Sequence, residues 1–258
     1  MGTRFVERMS VEVDGQGEPL VMIHGLGGTS NTFTPVIEGI GRQMQVIRPD
    51  LPGCGRSPTS GRFALEDFAD AVAKLVAALG IGRANFGGHS MGTIICFHIA
   101  LRNPKLVKSL ALLGPLLAPA DAGRQGLRER AAVARAQGMQ PVADAIVQAS
   151  TAAVTRREQP VTVALIREML MRQDAEGYAR CCEALADAAP PDVAAVKCPT
   201  LLLTGDDDPI ATATGMRAIG ARLAGARTRV VARCGHWATF ERPKETASAL
   251  EEFLLQRH

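Results

Sequence analysis

The sequence predicts an α/β domain, with a mostly parallel central sheet, helices on both faces and an inserted helical segment. Three observations predict it. Short apolar runs of strand length alternate with helix-periodic segments, the pattern of successive βαβ units. Several of those runs, such as Thr200 to Thr204 (TLLLT), are apolar throughout, as in strands covered on both faces. Between Leu117 and Val196 the chain carries helical patterns with no strand-like run among them.

Taken in order, Pro19 to Ile23 (PLVMI) reads as a strand ending at the glycine cluster His24-Gly25-Leu26-Gly27-Gly28. Gln45 to Arg48 is a second strand, running into Pro49-Asp50 and another glycine turn. Leu65, Phe68, Val72, Leu75, Val76 and Leu79 recur at helical spacing, and Gly80 stops the pattern. Arg83 to Phe86 is a short strand; a helix follows Ser90 through Ile94, Ile95, Phe97, Ile99 and Leu101, ending before Pro104. Ser109 to Leu113, Thr200 to Thr204 and the more exposed Thr228 to Ala232 complete the strands. The last helix runs from Pro243, a proline suited to a first turn, to about Gln256. No element is assigned to Met1 to Gly17, which mixes charges with short apolar stretches and lacks a signal-peptide core. The helical patterns of the insertion break at Gly138-Met139, Gln159-Pro160 and Pro190-Pro191. The expected organisation is a core of residues 1–116 and 197–258 with a helical cap of residues 117–196, too long for a plain loop.

A chain of 258 residues, 47% hydrophobic and 21% charged, can bury one large core and is not disordered by composition. Its 29 Lys and Arg against 26 Asp and Glu leave a net charge of +3, spread along the chain, with no footprint for nucleic acid or an anionic membrane. No apolar run reaches the roughly 18–20 residues of a membrane span. The six cysteines form no C-x-x-C pair and no zinc-ligand spacing with histidine, so reduced thiols in a reducing compartment are expected. These features point to a soluble cytoplasmic protein, monomeric or a small homo-oligomer, with no nucleic-acid or membrane partner.

The chemistry concentrates in Gly88-His89-Ser90-Met91-Gly92, a G-x-S-x-G sequence between a strand and a helix. That context makes Ser90 a nucleophile on a tight turn, with the Met91 N–H aimed at a reacting carbonyl. A serine hydroxyl needs a base. Of the five histidines, His24 and His89 lie in glycine turns, His98 sits on a helix and His258 is the terminus. His236 follows the last strand in a glycine-containing loop at the sheet edge where α/β proteins place their sites, and is the expected base. The acid that orients it comes from Asp206, Asp207 or Asp208, directly after a strand.

Together, the His24-Gly25-Leu26-Gly27 loop, the D-x-x-G-x-G-x-S turn from Asp50 to Ser57, the serine elbow, the G-x-x-D-P loop at Gly205 to Pro209 and the late Gly235-His236 resemble the α/β-hydrolase family over the whole chain. The resemblance implies Asp208 as the acid, Asp206 and Asp207 as turn groups, and the Leu26 and Met91 amides as an oxyanion hole. It implies no metal or organic cofactor. A serine at the elbow sets the chain apart from the haloalkane dehalogenases and epoxide hydrolases, which carry Asp there. Within the insertion, Glu176 to Leu185 (EGYARCCEAL) resembles the cap of 3-oxoadipate enol-lactonases, which hydrolyse a small anionic enol-lactone. The sequence departs from them at His89, where they tend to be apolar, at Thr93, where they carry Gly, and in lacking a cap tryptophan near Ser150 to Val154.

The function implied is hydrolysis of a small carboxylic ester or lactone through an acyl-enzyme. Within the enzymes, an acyl-homoserine lactonase, a carbon–carbon bond hydrolase or a perhydrolase shares the same triad. A non-catalytic ligand receptor or regulator on the same fold is the reading from another class. Trp237, Met139, Ile146 and Met169 are the expected substrate contacts, and Arg56, Arg124 and Arg172 the candidate cations for an anionic substrate.

Overall fold

In the computed structural model, which describes residues 2–256, eight strands form one sheet. They are β1 (Gly2–Val6), β2 (Met9–Asp14), β3 (Glu18–Ile23), β4 (Met44–Pro49), β5 (Ala84–His89), β6 (Val107–Leu113), β7 (Thr200–Gly205) and β8 (Arg227–Val231). Their spatial order is β1-β2-β4-β3-β5-β6-β7-β8. The pairs β1–β2 and β2–β4 are antiparallel and all others parallel. The expected strands are all present. The hairpin β1–β2 falls where sequence reading assigned no element, and corrects it. Its turn residues Glu7 and Arg8 have φ of +47° and +64°. Two left-handed residues are what a two-residue hairpin turn of matching twist requires. Here they are not Asn-Gly or Asp-Gly, so the usual sequence signal is missing.

Helices α1 (Ile37–Ile40), α2 (Leu65–Ala78) and α3 (Met91–Arg102) precede β6. Between β6 and β7 lie α4 (Asp121–Gln137), α5 (Met139–Ser150), α6 (Ala153–Glu158), α7 (Pro160–Met171) and α8 (Ala175–Ala186), with breaks at Gly138 and at Gln159-Pro160. Helix α9 (Ala213–Gly220) joins β7 to β8; α10 (Ala238–Glu241) and α11 (Pro243–Leu254) close the chain. Among the described residues no helix is long and apolar enough to cross a membrane.

The parallel strands β3 to β7 bury most of both faces, which is why their sequences lack polar alternation, whereas the edge strand β8 is largely exposed. On β3, Val21 and Ile23 join the core under α2 and α3, with Phe68, Val72, Ile94 and Phe97. Leu20 and Met22 point the other way and join Phe33, Ile40, Leu250 and Phe253. The side-chain period of two thus feeds one continuous apolar run into two cores. The loops leaving the C-terminal ends of β3, β5, β6, β7 and β8 meet beneath the inserted helices, and the candidate site is there.

Candidate active site

Ser90 joins β5 to α3 with φ +52° and ψ −121°, a conformation that non-glycine residues rarely adopt. Close packing imposes it. A Cβ on Gly88 would lie 2.6 Å from the Gly92 carbonyl oxygen, and one on Gly92 2.2 Å from that of Ile23. The Ser90 N–H donates to the Leu113 carbonyl at 2.9 Å. The Thr93 hydroxyl donates to the Ser90 carbonyl at 2.6 Å and accepts the Leu116 N–H at 3.0 Å. Thr93 therefore ties the elbow to the loop after β6.

His236, in the loop after β8, donates from Nδ1 to Asp208 Oδ2 at 2.8 Å, and its Nε2 has no hydrogen-bond partner among the described residues. Asp208 Oδ1 accepts the amides of Ile210 at 2.8 Å and Ala211 at 2.9 Å. Burial pushes the Asp208 carboxyl up, but the His236 ring and those amides outweigh it and hold the group below the usual carboxylate range. Asp206 instead accepts the Cys234 N–H at 3.0 Å and fixes the turn. Gly114, directly after β6, has φ +59°, and a Cβ there would sit 3.0 Å from His236 Cε1 and 3.5 Å from Asp208 Oδ2.

The loop bearing His236 is held by a buried carboxylate that sequence reading missed. Glu241, 1% exposed, accepts the Gly235 N–H at 3.1 Å and the Trp237 N–H at 3.1 Å, the amides on either side of His236. It also accepts the Ala152 N–H at 2.9 Å and the Thr155 hydroxyl at 2.7 Å. The His236 N–H donates to the Ser150 carbonyl at 2.8 Å, so the loop is strapped to the α5–α6 junction.

The other histidines have different surroundings. His24 donates from Nδ1 to the Gly25 carbonyl at 2.8 Å and accepts the Leu51 N–H at Nε2, 3.0 Å, pinning the loop that carries Leu26. His89 donates from Nε2 to the His236 carbonyl at 2.9 Å, and its Nδ1 is buried without a partner. Burial first, and the adjacent His236 second, push its pKa down to about 3. His98 lies 3.5 Å from Glu66, and His258 is outside the described residues. The Met91 N–H is the first amide of α3, where a helix leaves donors without internal acceptors.

Ser90, His236, Leu26 and Trp237 line one cavity of about 530 Å³. Its walls are largely apolar, from Leu116, Leu127, Ile146 and Leu185. Trp237 donates from Nε1 to Ser150 Oγ at 2.8 Å. Of the expected substrate contacts, Trp237 and Ile146 are at this cavity; Met139 and Met169 are not. Met139 opens α5, two turns before Ile146 and so about 10 Å along the axis, and is buried in the core. Met169 packs on Thr32, whose hydroxyl lies 3.7 Å from its sulfur, and borders a separate cavity of about 720 Å³ that contains none of Ser90, Asp208 and His236. The three candidate cations are engaged elsewhere. Arg56 pairs with Glu12 at 2.7 Å and Asp50 at 3.1 Å, Arg172 with Glu168 at 2.9 Å, and Arg124 donates to the Ala186 and Ala188 carbonyls. The cation at the Ser90 cavity is Arg130, on α4.

A family model for the alpha/beta hydrolase fold matches residues 18–243. The chain is 32% identical over 203 residues to an (E)-2-((N-methylformamido)methylene)succinate hydrolase of Acinetobacter baylyi, covering 77% of this chain and 76% of that one. Its structure superposes on an enol-lactonase of Burkholderia xenovorans LB400 with a TM-score of 0.92 and 27% identity, over 99% of this chain and 100% of the other. A thermophilic esterase of Thermogutta terrifontis matches equally well, at TM-score 0.92 and 26% identity over 99% and 98% of the two chains.

Proposed function

The chain belongs to the α/β-hydrolase fold family of hydrolases, and on that premise we propose that it cleaves a small carboxylic ester or lactone through a serine acyl-enzyme. One observation carries the reading. Ser90, on its strained turn, and His236, paired with buried Asp208, open onto the same cavity. The esterase and enol-lactonase among the similar structures support ester and lactone bonds as the target.

In this reading Ser90 Oγ attacks the carbonyl carbon while His236 Nε2 takes its proton. Asp208 fixes the tautomer with Nδ1 protonated and stabilises the imidazolium that forms. The oxyanion rests on the Leu26 and Met91 amides, worth roughly 3–4 kcal/mol per donor. Collapse breaks the bond to the leaving oxygen, which takes the proton from His236, and leaves an acyl-enzyme. Water, deprotonated by His236, then attacks the acyl carbon; the carboxylic acid departs and Ser90 regains its proton. A lactone gives a single ring-opened product by the same steps.

The test is the initial rate on p-nitrophenyl butyrate for wild type and Ser90→Ala. Wild-type turnover that falls by at least about 10³-fold in the variant is expected. Equal rates in both would overturn the mechanism.

A further inference from the structure

The Ser90 cavity carries a polar feature that the proposed acyl transfer leaves unused. Among the described residues, Arg130 is the only basic side chain lining it apart from His236. The other arginines of α4 are spoken for. Arg124 ends on the Ala186 and Ala188 carbonyls, Arg128 on Asp187 at 2.5 Å, and Arg135 on Glu176 and Glu183. Arg130 has no ion pair among the described residues, lies beside the Tyr178 hydroxyl, and is half-buried against the cavity. Facing the same space, on α8, is Tyr178, 2% exposed, its hydroxyl beside the Arg130 guanidinium and the Cys182 thiol but with no well-aligned hydrogen bond among the described residues. The pair therefore presents donors to a cavity whose lining holds no carboxylate to receive them. Burial raises the Tyr178 hydroxyl's pKa and the Arg130 charge opposes that rise, as expected of neighbours.

The placement is also preorganised. Helices α4 and α8 are clamped together by the Arg128 and Arg135 ion pairs. The Tyr178 ring packs on the loop after β3: a Cβ on Gly27 would lie 3.2 Å from Cε2. Gly27 adjoins Leu26, so Tyr178 shares a wall with the proposed oxyanion amide. We propose that Arg130 and Tyr178 form an anion subsite that binds a carboxylate on the substrate, so that the enzyme acts on carboxylate-bearing esters or lactones. The guanidinium offers paired donors suited to a carboxylate and the phenol a third. The inference rests on the hydrolase reading for the reacting end and adds the group recognised at the other.

The test compares p-nitrophenyl hydrogen glutarate, which carries a free carboxylate, with neutral p-nitrophenyl butyrate. Wild type favours the glutarate ester. Arg130→Gln lowers the ratio of kcat/KM values, glutarate over butyrate, by about 10–100-fold, the range of a charged hydrogen bond, chiefly through KM. Arg130→Lys recovers part of the ratio, and Tyr178→Phe lowers it severalfold. A ratio unmoved by Arg130→Gln, or a loss shared equally by both esters, would overturn the subsite while leaving the hydrolase reading intact. Should neither ester turn over, the hydrolase reading fails alone, and the subsite is read by binding. Glutarate titrated against the fluorescence of Trp237, the chain's only tryptophan and a neighbour in the cavity, saturates with wild type and not with Arg130→Gln. Equal binding, or none to wild type, would overturn it.

Discussion

Replacing Gly114 by alanine puts a methyl group against the two residues of the proposed base pair. Two costs follow. The backbone at φ +59° resists a Cβ, by about 1–2 kcal/mol for a left-handed alanine. At about 2–4 °C per kcal/mol for a chain of this size, Tm falls by roughly 2–8 °C and the protein stays folded at 25 °C. The second cost is local. With Cβ 3.0 Å from His236 Cε1 and 3.2 Å from Nδ1, the ring must retreat by a few tenths of an ångström, and one of the two contacts is the nitrogen bonded to Asp208. Ring displacement on that scale lowers kcat by about 4–10-fold, given that about 1 Å is worth 10². Gly80→Ala separates the two costs, because Gly80 has φ +75° with nothing within 4 Å of its would-be Cβ. Thermal melts and initial rates on p-nitrophenyl butyrate for both variants decide it. A comparable fall in Tm with a loss of kcat only in Gly114→Ala is expected. Activity in Gly114→Ala within about twofold of wild type would refute the claim that His236 is held against Gly114 during turnover.

Other variants probe the remaining contacts. Asp208→Asn keeps the shape but removes the charge that stabilises the imidazolium, so kcat falls by about 10³–10⁴-fold, read by initial rates. Glu241→Gln leaves one acceptor where four donors converge and faces an NH2 toward one of them. Urea unfolding shows a loss of about 1–3 kcal/mol, and kcat falls about tenfold with little change in KM, because the strap holds the base and not the substrate. His89 has a folded-state pKa of about 3 against an ordinary 6.5, so between those values the unfolded chain binds the extra proton. Stability is therefore lost as pH falls from about 6.5 toward 3, by up to about 1.4 kcal/mol per pH unit from this residue. Urea midpoints at pH 4, 5 and 6 show a shallower slope in His89→Leu; an unchanged slope contradicts a buried neutral His89.

The six parallel strands and the flanking helices could be read from the chain because each rests on local pattern. Thr200 to Thr204 is apolar on both faces, and Leu65 to Leu79 keeps a helical period up to Gly80. The hairpin β1–β2 could not, since its left-handed turn is built from Glu7 and Arg8, residues that carry no turn signal. At the site, Ser90, Asp208 and His236 stand in glycine-rich or proline-marked loops whose spacing is informative before folding. Glu241 carries no such mark. Glu241 looks like any acidic residue at a short helix, and only the approach of Ala152 and Thr155 from the inserted segment reveals its part. Periodicity identified the buried face of α5 and α7 but not what each covers, so Ile146 reaches the cavity while Met139 and Met169 pack elsewhere. Arg130 is one of four arginines on α4, and which of them finds a carboxylate depends on α8, far along the chain.

The account's central claim is that Ser90 becomes covalently attached to the acyl group. A fluorophosphonate, which traps an activated serine, tests it directly when followed by mass spectrometry of the intact and digested protein. The account predicts one adduct per chain on the peptide containing Ser90, none in Ser90→Ala, and labelling at least about 10³-fold slower in His236→Ala. An enzyme that hydrolyses p-nitrophenyl butyrate yet takes up no label at Ser90, or is labelled at another residue, would contradict it.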